Sequence, residues 1–407
     1  IRKAMEEEGA DIHIIAALDD VCWTTNLRGN DIEFFPLLLS YAVITKEDMK
    51  LYIDERKLTD EMKANLAKDN ISLRPYNAVY EDVKELCADS AILVDPSRLN
   101  YALYNNLPKG AKVIEKVNPT VLMKAMKNDT EIKNIKSAHV KDGVAVTKFM
   151  HWLKKNVGKT EITEISAAEK LEEFRKEQEG YLWQSFEPIC GSGEHAAIVH
   201  YAATPETNVP VVTDGLFLTD TGGGYMEGST DITRTFAFGK ITDRMAEDFT
   251  TVLLCNLRLA RAVFMHGTCG YNLDILARMP AWERGINYNH GTGHGVGYLM
   301  NIHEAPSGFR IAIREREKAV IEPGMVITDE PGIYIEGSHG IRTENELLVC
   351  EKEKTEYGQF LCFEPITYVP IDLDAVNPDM MTKEDKEQLN AYHAKVYELV
   401  SPHLNEE

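Results

Sequence analysis

Two aspartates, Asp220 and Asp231, sit in a stretch patterned as two strands around glycine-rich turns. In LFLTD (216–220) the alternation puts Leu216, Leu218 and Asp220 on one face, and in STDITRT (229–235) it puts Asp231, Thr233 and Thr235 together. A hairpin between them brings the two carboxylates side by side across the ladder. Adjacent carboxylates repel, so such a pair needs a cation or a shared proton between its members; capping of turns near Gly215 and Gly228 is the plainer use of the same residues. HGTGHGVG (290–297) places His290 and His294 in a segment too rich in glycine to be helical. Glycine lets the backbone approach a bound group closely, although surface histidines on a turn are an equally ordinary reading. His303 follows in NIHEAP, and Glu330 of ITDEPG ends a strand before the turn dipeptide Pro331-Gly332. Glu344 of GIRTENE lies inside a strand, where a solvated acidic face is the ordinary expectation. Each feature is weak alone. Together, four carboxylates and one imidazole make an oxygen-rich site of charge about −4, which two divalent cations bridged by hydroxide, about +3, nearly neutralise. Such ligation favours Mn, Fe, Co or Mg over a thiolate-style zinc site, and affinity order alone leaves zinc open.

Other chemistries lack their residues. His303-Glu304 is followed by Ser307 where HExxH needs histidine, no serine has the nucleophile-elbow spacing, and the alternating glycines at 291, 293, 295 and 297 make neither GxGxxG nor a P-loop. Asp220-Thr221-Gly222 matches half of an aspartic-protease signature, but no second copy supplies the partner carboxylate.

The elements that must position these residues fall into two regions. Over residues 1–118, Ile12–Ala17, Tyr41–Thr45, Leu51–Asp54 and Ala91–Asp95 read as strands, with Asp60–Asp69 and Ser97–Leu107 as helices between them. That alternation predicts a small α/β domain, and Asn118-Pro119 marks a break after it. A long helix is expected from about Asp129, a second over Thr163–Glu179 with Gly180 behind it, and a third from the cap Thr242 to about Phe264. Phe217–Phe238 reads as a hairpin, and Met325–Ile335 and Gly340–Val349 read as further strands, so the second region is α+β.

Composition bounds the function. The 407 residues carry 44 Lys+Arg against 65 Asp+Glu, a net charge of −21. That excess argues against a nucleic-acid partner and against docking on an anionic membrane. The apolar run Phe34–Ile44, interrupted by Pro36, is far short of the roughly 20 residues a spanning helix needs. Seven scattered cysteines without a CxxC pair read as free thiols in a reducing, cytoplasmic compartment.

At Asp220, Asp231, His294, Glu330 and Glu344 the sequence resembles the pita-bread metallopeptidases, a family that includes methionine aminopeptidase, prolidase and aminopeptidase P. AAIVHY (196–201), HGTGHGVG, HEAP (303–306) and GIRTEN (340–345) resemble the aminopeptidase P branch most, in its eukaryotic three-domain form. ALDDVCWTTNLRGNDIEFFP (17–36) is similar to that form's middle domain, and FEPITYVPID (363–372) to its C-terminal tail. The resemblance implies a creatinase-N-like α/β domain over 1–122, followed by an α+β pita-bread catalytic domain over 123–407. The chain opens on Ile1, and the resemblance implies an N-terminal domain ahead of it. It also implies two divalent metal ions, Mn²⁺ foremost and Zn²⁺ or Co²⁺ as alternatives, on those five residues, with Glu330 as proton acceptor besides. His200 is then expected near the scissile carbonyl, His290 along the pocket for a penultimate proline, His303 at the peptide carbonyl, and Arg342 supporting the carboxylates. The implied activity is release of the first residue from peptides with proline second, by a homodimer. Prolidase action on Xaa-Pro dipeptides and a non-catalytic peptide-binding module are the alternatives. The departures from the family pattern, Thr221, Gly223-Gly224 and Ala305, touch turns rather than donors.

Overall fold

A computed structural model describes residues 1–313 and 318–405. The chain forms two compact units, Ile1–Lys124 and Ala125–Glu407. The first is built on one mixed sheet of strands β1 (Ile12–Ile15), β2 (Tyr41–Thr45), β3 (Met49–Tyr52), β4 (Ile71–Arg74), β5 (Ala91–Val94) and β6 (Lys112–Glu115), in the order β4-β3-β2-β1-β5-β6. β1 runs parallel to β5 and antiparallel to β2. Ile12, Ile14, Val43, Ile92 and Val94 pack its core against Val79, Val83 and Leu103. The third strand begins at Met49, ahead of the expected Leu51, because Met49 pairs with both Ile44 and Ile71. β4 and β6 escape the sequence pattern: their alternation is short, and polar Ser72, Arg74, Lys112 and Glu115 dilute it.

The second unit starts with two helices closed by capping boxes, Asp129–Asn156 behind Asn128 and Glu164–Lys176 behind Thr163. Its strands are β7 (Tyr181–Gln184), β8 (Ile189–Ser192), β9 (Gly215–Thr221), β10 (Gly223–Tyr225), β11 (Gly228–Ser229), β12 (Ile232–Phe238), β13 (Val263–Met265), β14 (Gly293–Gly295), β15 (Glu304–Phe309), β16 (Val326–Asp329), β17 (Gly332–Ile335), β18 (His339–Arg342), β19 (Asn345–Thr355) and β20 (Gly358–Pro365). The β9–β12 pair sits between helices. Phe217, Ile232 and Phe236 point to one side, against Val146, Phe149 and Leu153 of the first helix and Leu171 of the second. Leu216 and Ala237 point to the other, against Phe249, Val252 and Leu253 of the helix Asp243–Ala260. Period-two alternation therefore puts Asp220, Asp231, Thr233 and Thr235 on the second face.

Several elements end differently from their sequence pattern: the helix expected over 97–107 spans only Tyr101–Asn105, and the one expected to reach Glu179 stops at Lys176. Thr242 caps the third helix through Met245 N–H, but that helix stops at Ala260. Val263, Phe264 and Met265 leave it to pair with Cys362, Leu361 and Phe360, a ladder that suits β-branched and aromatic residues. The expected strand Met325–Ile335 is divided into β16 and β17, and Gly340–Val349 into β18 and β19, with each half in a different sheet. β16 and β19 pair with each other, and so do β17 and β18, so the two breaks lie next to one another. Glu330 and Glu344 occupy those breaks.

Candidate metal centre

The breaks explain how glutamates from strands come to point inward. Pro331 cannot donate to a ladder, so the chain turns after Asp329. Glu330 N–H is held instead by Thr292 O at 2.8 Å, and Glu344 N–H by Thr233 O at 3.1 Å. Glu344 Oε2 accepts from Thr233 Oγ1 at 2.8 Å, and Glu330 Oε1 from Thr328 Oγ1 at 3.2 Å. The histidine arrives on β14, whose glycines are required by space: a Cβ on Gly293 would stand 1.8 Å from Thr328 O. His294 Nδ1 donates to Gly295 O at 2.9 Å, which leaves the Nε2 lone pair facing Asp231 Oδ2 at 3.4 Å and Glu330 Oε1 at 3.5 Å.

Asp231, His294 and Glu344 each offer a donor atom, and these atoms lie within 4.8 Å of one another. Glu330 joins them through His294. Asp220 pairs across the ladder with Thr233 rather than with Asp231, which sits one diagonal step away on the same face. Asp220 Oδ2 accepts from Arg342 Nη2 at 2.5 Å, while its buried Oδ1 finds no hydrogen-bond partner among the described residues. Burial raises the carboxyls of Asp231 and Glu344 far above the usual range and raises Glu330 as well, with repulsion from the neighbouring carboxylates adding to each. A cluster of partly orphaned carboxylates around a lone pair on nitrogen suits hard divalent cations, which would relieve this repulsion.

Around the donors stand the other expected residues. His290 Nδ1 donates to Gly291 O at 2.7 Å, and the Tyr334 hydroxyl donates to its Nε2 at 2.9 Å. That hydroxyl accepts from Arg342 Nη1 at 2.8 Å, so a continuous chain runs from Asp220 through Arg342 and Tyr334 to His290. Burial lowers His290 to about 4. The His303 ring lies 4.1 Å from that of His294, and desolvation by burial pulls its pKa down to about 3. Both imidazoles are neutral at neutral pH. His200 lies on an exposed turn, near enough to His290 and His303 to act on both electrostatically.

Sequence reasoning missed four supporting residues. Tyr334 is a strand tyrosine with no motif around it. Glu346, two positions beyond Glu344, accepts from Asp231 N–H at 2.9 Å. Asp142 and Arg175 come from the two long helices and pair at 2.7 Å; Asp142 also accepts from Tyr225 and Thr230, and Arg175 donates to Thr221 at 3.0 Å. This buried network grips the hairpin next to both aspartates. A charged residue on a helix face otherwise bound for the core, as Asp142 is beside Val144 and Val146, is the one signal that could have found it.

Comparison with known proteins gives three family matches along the chain: metallopeptidase family M24 over 133–351, the creatinase/prolidase N-terminal domain over 1–131, and the C-terminal region of peptidase M24 over 359–407. A probable Xaa-Pro aminopeptidase P of Paracoccidioides brasiliensis is 37% identical across 100% of this chain and 68% of its own length. Xaa-Pro aminopeptidase 1 of Dictyostelium discoideum is 37% identical across 99% and 64%. The chain thus spans about two thirds of the length of these relatives. Among solved structures, X-prolyl aminopeptidase from Caenorhabditis elegans, described as a cytosolic enzyme with a di-nuclear active site, superposes with a TM-score of 0.94 at 32% identity over 99% of this chain and 66% of that one. An Xaa-Pro dipeptidase from Bacillus anthracis superposes with a TM-score of 0.72 at 27% identity, over 91% and 97%.

Proposed function

The chain belongs to metallopeptidase family M24, with a creatinase N-terminal domain ahead of the pita-bread catalytic domain, and from that premise we propose that it is an Xaa-Pro aminopeptidase. It hydrolyses the bond before a penultimate proline and releases the first residue. The observation that carries this reading is the convergence of Asp231, His294 and Glu344, with Glu330 and Asp220 beside them, at one largely buried point. Full-length similarity to proteins named for this activity supports it.

Asp220, Asp231, His294, Glu330 and Glu344 would hold two divalent cations, which supply Lewis acidity and lower the pKa of water when bound. Mn²⁺ is our assignment, on the hardness of the donors, with Zn²⁺ or Co²⁺ as alternatives. Glu330, whose carboxyl burial biases towards holding a proton, accepts the proton of the attacking water. His303, neutral, donates a hydrogen bond to the substrate carbonyl as negative charge develops on its oxygen. His290 lines the proline slot; with both ring nitrogens engaged by Gly291 and Tyr334, it presents its ring rather than a donor. A bond to proline has no N–H to satisfy, so such a wall suits it. His200 contacts the substrate from the mouth. Arg342 holds Asp220 in place through its Nη2 hydrogen bond. On the likeness to the X-prolyl aminopeptidase described as a cytosolic enzyme we place the protein in the cytoplasm, as a homodimer; separately, no helix among the described residues is long and apolar enough to cross a membrane.

The test strips the full chain of metal, restores Mn²⁺, and follows release of the first residue from an Xaa-Pro-Xaa peptide beside its Xaa-Ala-Xaa counterpart and an Xaa-Pro dipeptide. Metal-dependent cleavage of the proline tripeptide is expected. Cleavage of the dipeptide alone assigns prolidase action instead, and cleavage of none removes the catalytic reading.

A further inference from the structure

One buried carboxylate outside the metal centre organises the loop that carries His200. Glu164, the first residue of the helix Glu164–Lys176, is fully buried. Its Oε1 accepts from Ser192 N–H at 2.8 Å and from His195 Nδ1–H at 2.9 Å. Its Oε2 accepts from the Tyr201 hydroxyl at 2.8 Å and from Val209 N–H at 3.3 Å. These donors lie before, within and after the segment 193–201, and His200 is the residue next to one of them. The rings of His195 and Tyr201 meet at a tilt of 36° with centroids 4.6 Å apart, so the two clamped side chains also brace each other.

The same segment is pressed onto the catalytic strands. Ala196 and Tyr201 pack with Ile189 and with Leu218, which shares a face with Asp220 on β9. Its backbone lies so close to β18 that a Cβ on Gly340 would stand 1.7 Å from Ala196 O. Arg342, which holds Asp220, is on that strand. A helix-borne carboxylate therefore ties the loop by hydrogen bonds, and β8, β9 and β18 hold it by packing. His200 itself is exposed and has no comparable anchor of its own in the hydrogen bonds among the described residues.

We infer that Glu164 is a positioning residue for His200, holding the 192–209 segment through Ser192, His195, Tyr201 and Val209 so that His200 stands at the substrate mouth. The inference rests on the proposed peptidase function, in which His200 touches the peptide. A carboxylate is needed because four donors converge on two oxygens; the amide of glutamine would turn N–H groups towards two of them.

The experiment is a double-mutant cycle in the full, metal-restored chain. kcat and KM on an Xaa-Pro-Xaa peptide are measured for the parent, Glu164→Gln, Tyr201→Phe, His200→Ala, and each of the first two combined with His200→Ala. Deuterium exchange of the 193–201 amides is followed in parallel. We expect Glu164→Gln to lower kcat/KM about tenfold to a hundredfold, Tyr201→Phe to lower it less, and both losses to shrink towards none when His200 is already alanine. Exchange over 193–201 should rise in both variants. Equal losses with and without His200, together with unchanged exchange, reject the inference and leave Glu164 a structural residue. If Glu164→Gln does not fold, the Tyr201→Phe cycle decides the matter in the same way. A parent chain inert on every proline peptide instead rejects the functional reading; exchange over 193–201 then tests the clamp, and no rise in either variant rejects it.

Discussion

The backbone N–H of Asp231 donates to Glu346 Oε1 at 2.9 Å, so a side chain two residues beyond one expected donor holds the main chain of another. Glu346 is fully buried, and its second oxygen lies 3.1 Å from Nε2 of the equally buried His139, without hydrogen-bond alignment. Truncating Glu346 leaves the Asp231 amide unpaired inside the protein. Glu346→Ala should cost about 3 kcal/mol of stability and weaken Mn²⁺ binding about tenfold to a hundredfold. Urea unfolding and calorimetric titration check the two parts; unchanged metal affinity removes the link to Asp231.

His294 meets both Asp231 and Glu330 through one nitrogen, so its loss unravels the donor set rather than trimming it. His294→Ala should abolish cleavage and lower the metal content of the purified protein. Full activity with an undiminished metal content removes His294 from the ligands.

Tyr334 links His290 to Arg342 through one hydroxyl. Tyr334→Phe keeps the ring but frees His290 Nε2 and removes an acceptor from Arg342. We expect kcat/KM for a proline-second peptide to fall about tenfold, roughly 1.4 kcal/mol, with the preference of proline over alanine reduced. A loss equal for both peptides separates Tyr334 from the proline slot.

His13 on β1 is buried and neutral: desolvation lowers its pKa against the opposing pull of Leu93 O, Asp20 and Asp95. Its folded pKa therefore lies below the unfolded value near 6.5. Below that pH the unfolded chain binds more protons, so stability declines as pH falls. At pH 5.5 the cost should reach up to about 1.4 kcal/mol relative to neutral pH. Native-state exchange of the β1 and β5 amides at both pH values measures it, and His13→Leu should flatten the difference. An equal pH slope in that variant assigns the effect elsewhere.

Much of the architecture is local and so can be read from the chain. β2 and the starts of the helices at Asp129 and Asp243 follow from alternation and from the caps Asn128 and Thr242, whose donors lie within three residues. The shared face of Asp220, Thr233 and Thr235 follows from period two alone. The residue types around 220–231, 290–303, 330 and 344 already specify hard, anionic ligation, because chemistry resides in the side chain. What tertiary structure alone decides is geometry set by distant partners. The apolar runs around Glu330 and Glu344 look continuous, yet each is divided because its halves pair in different sheets, and only that division turns the two carboxylates inward. Phe264 leaves a helix because a strand nearly a hundred residues later accepts it. Glu164, Asp142 and Glu346 belong to no motif, and burial decides their role: with water removed each must find donors, and the donors it finds are the segments that carry the site.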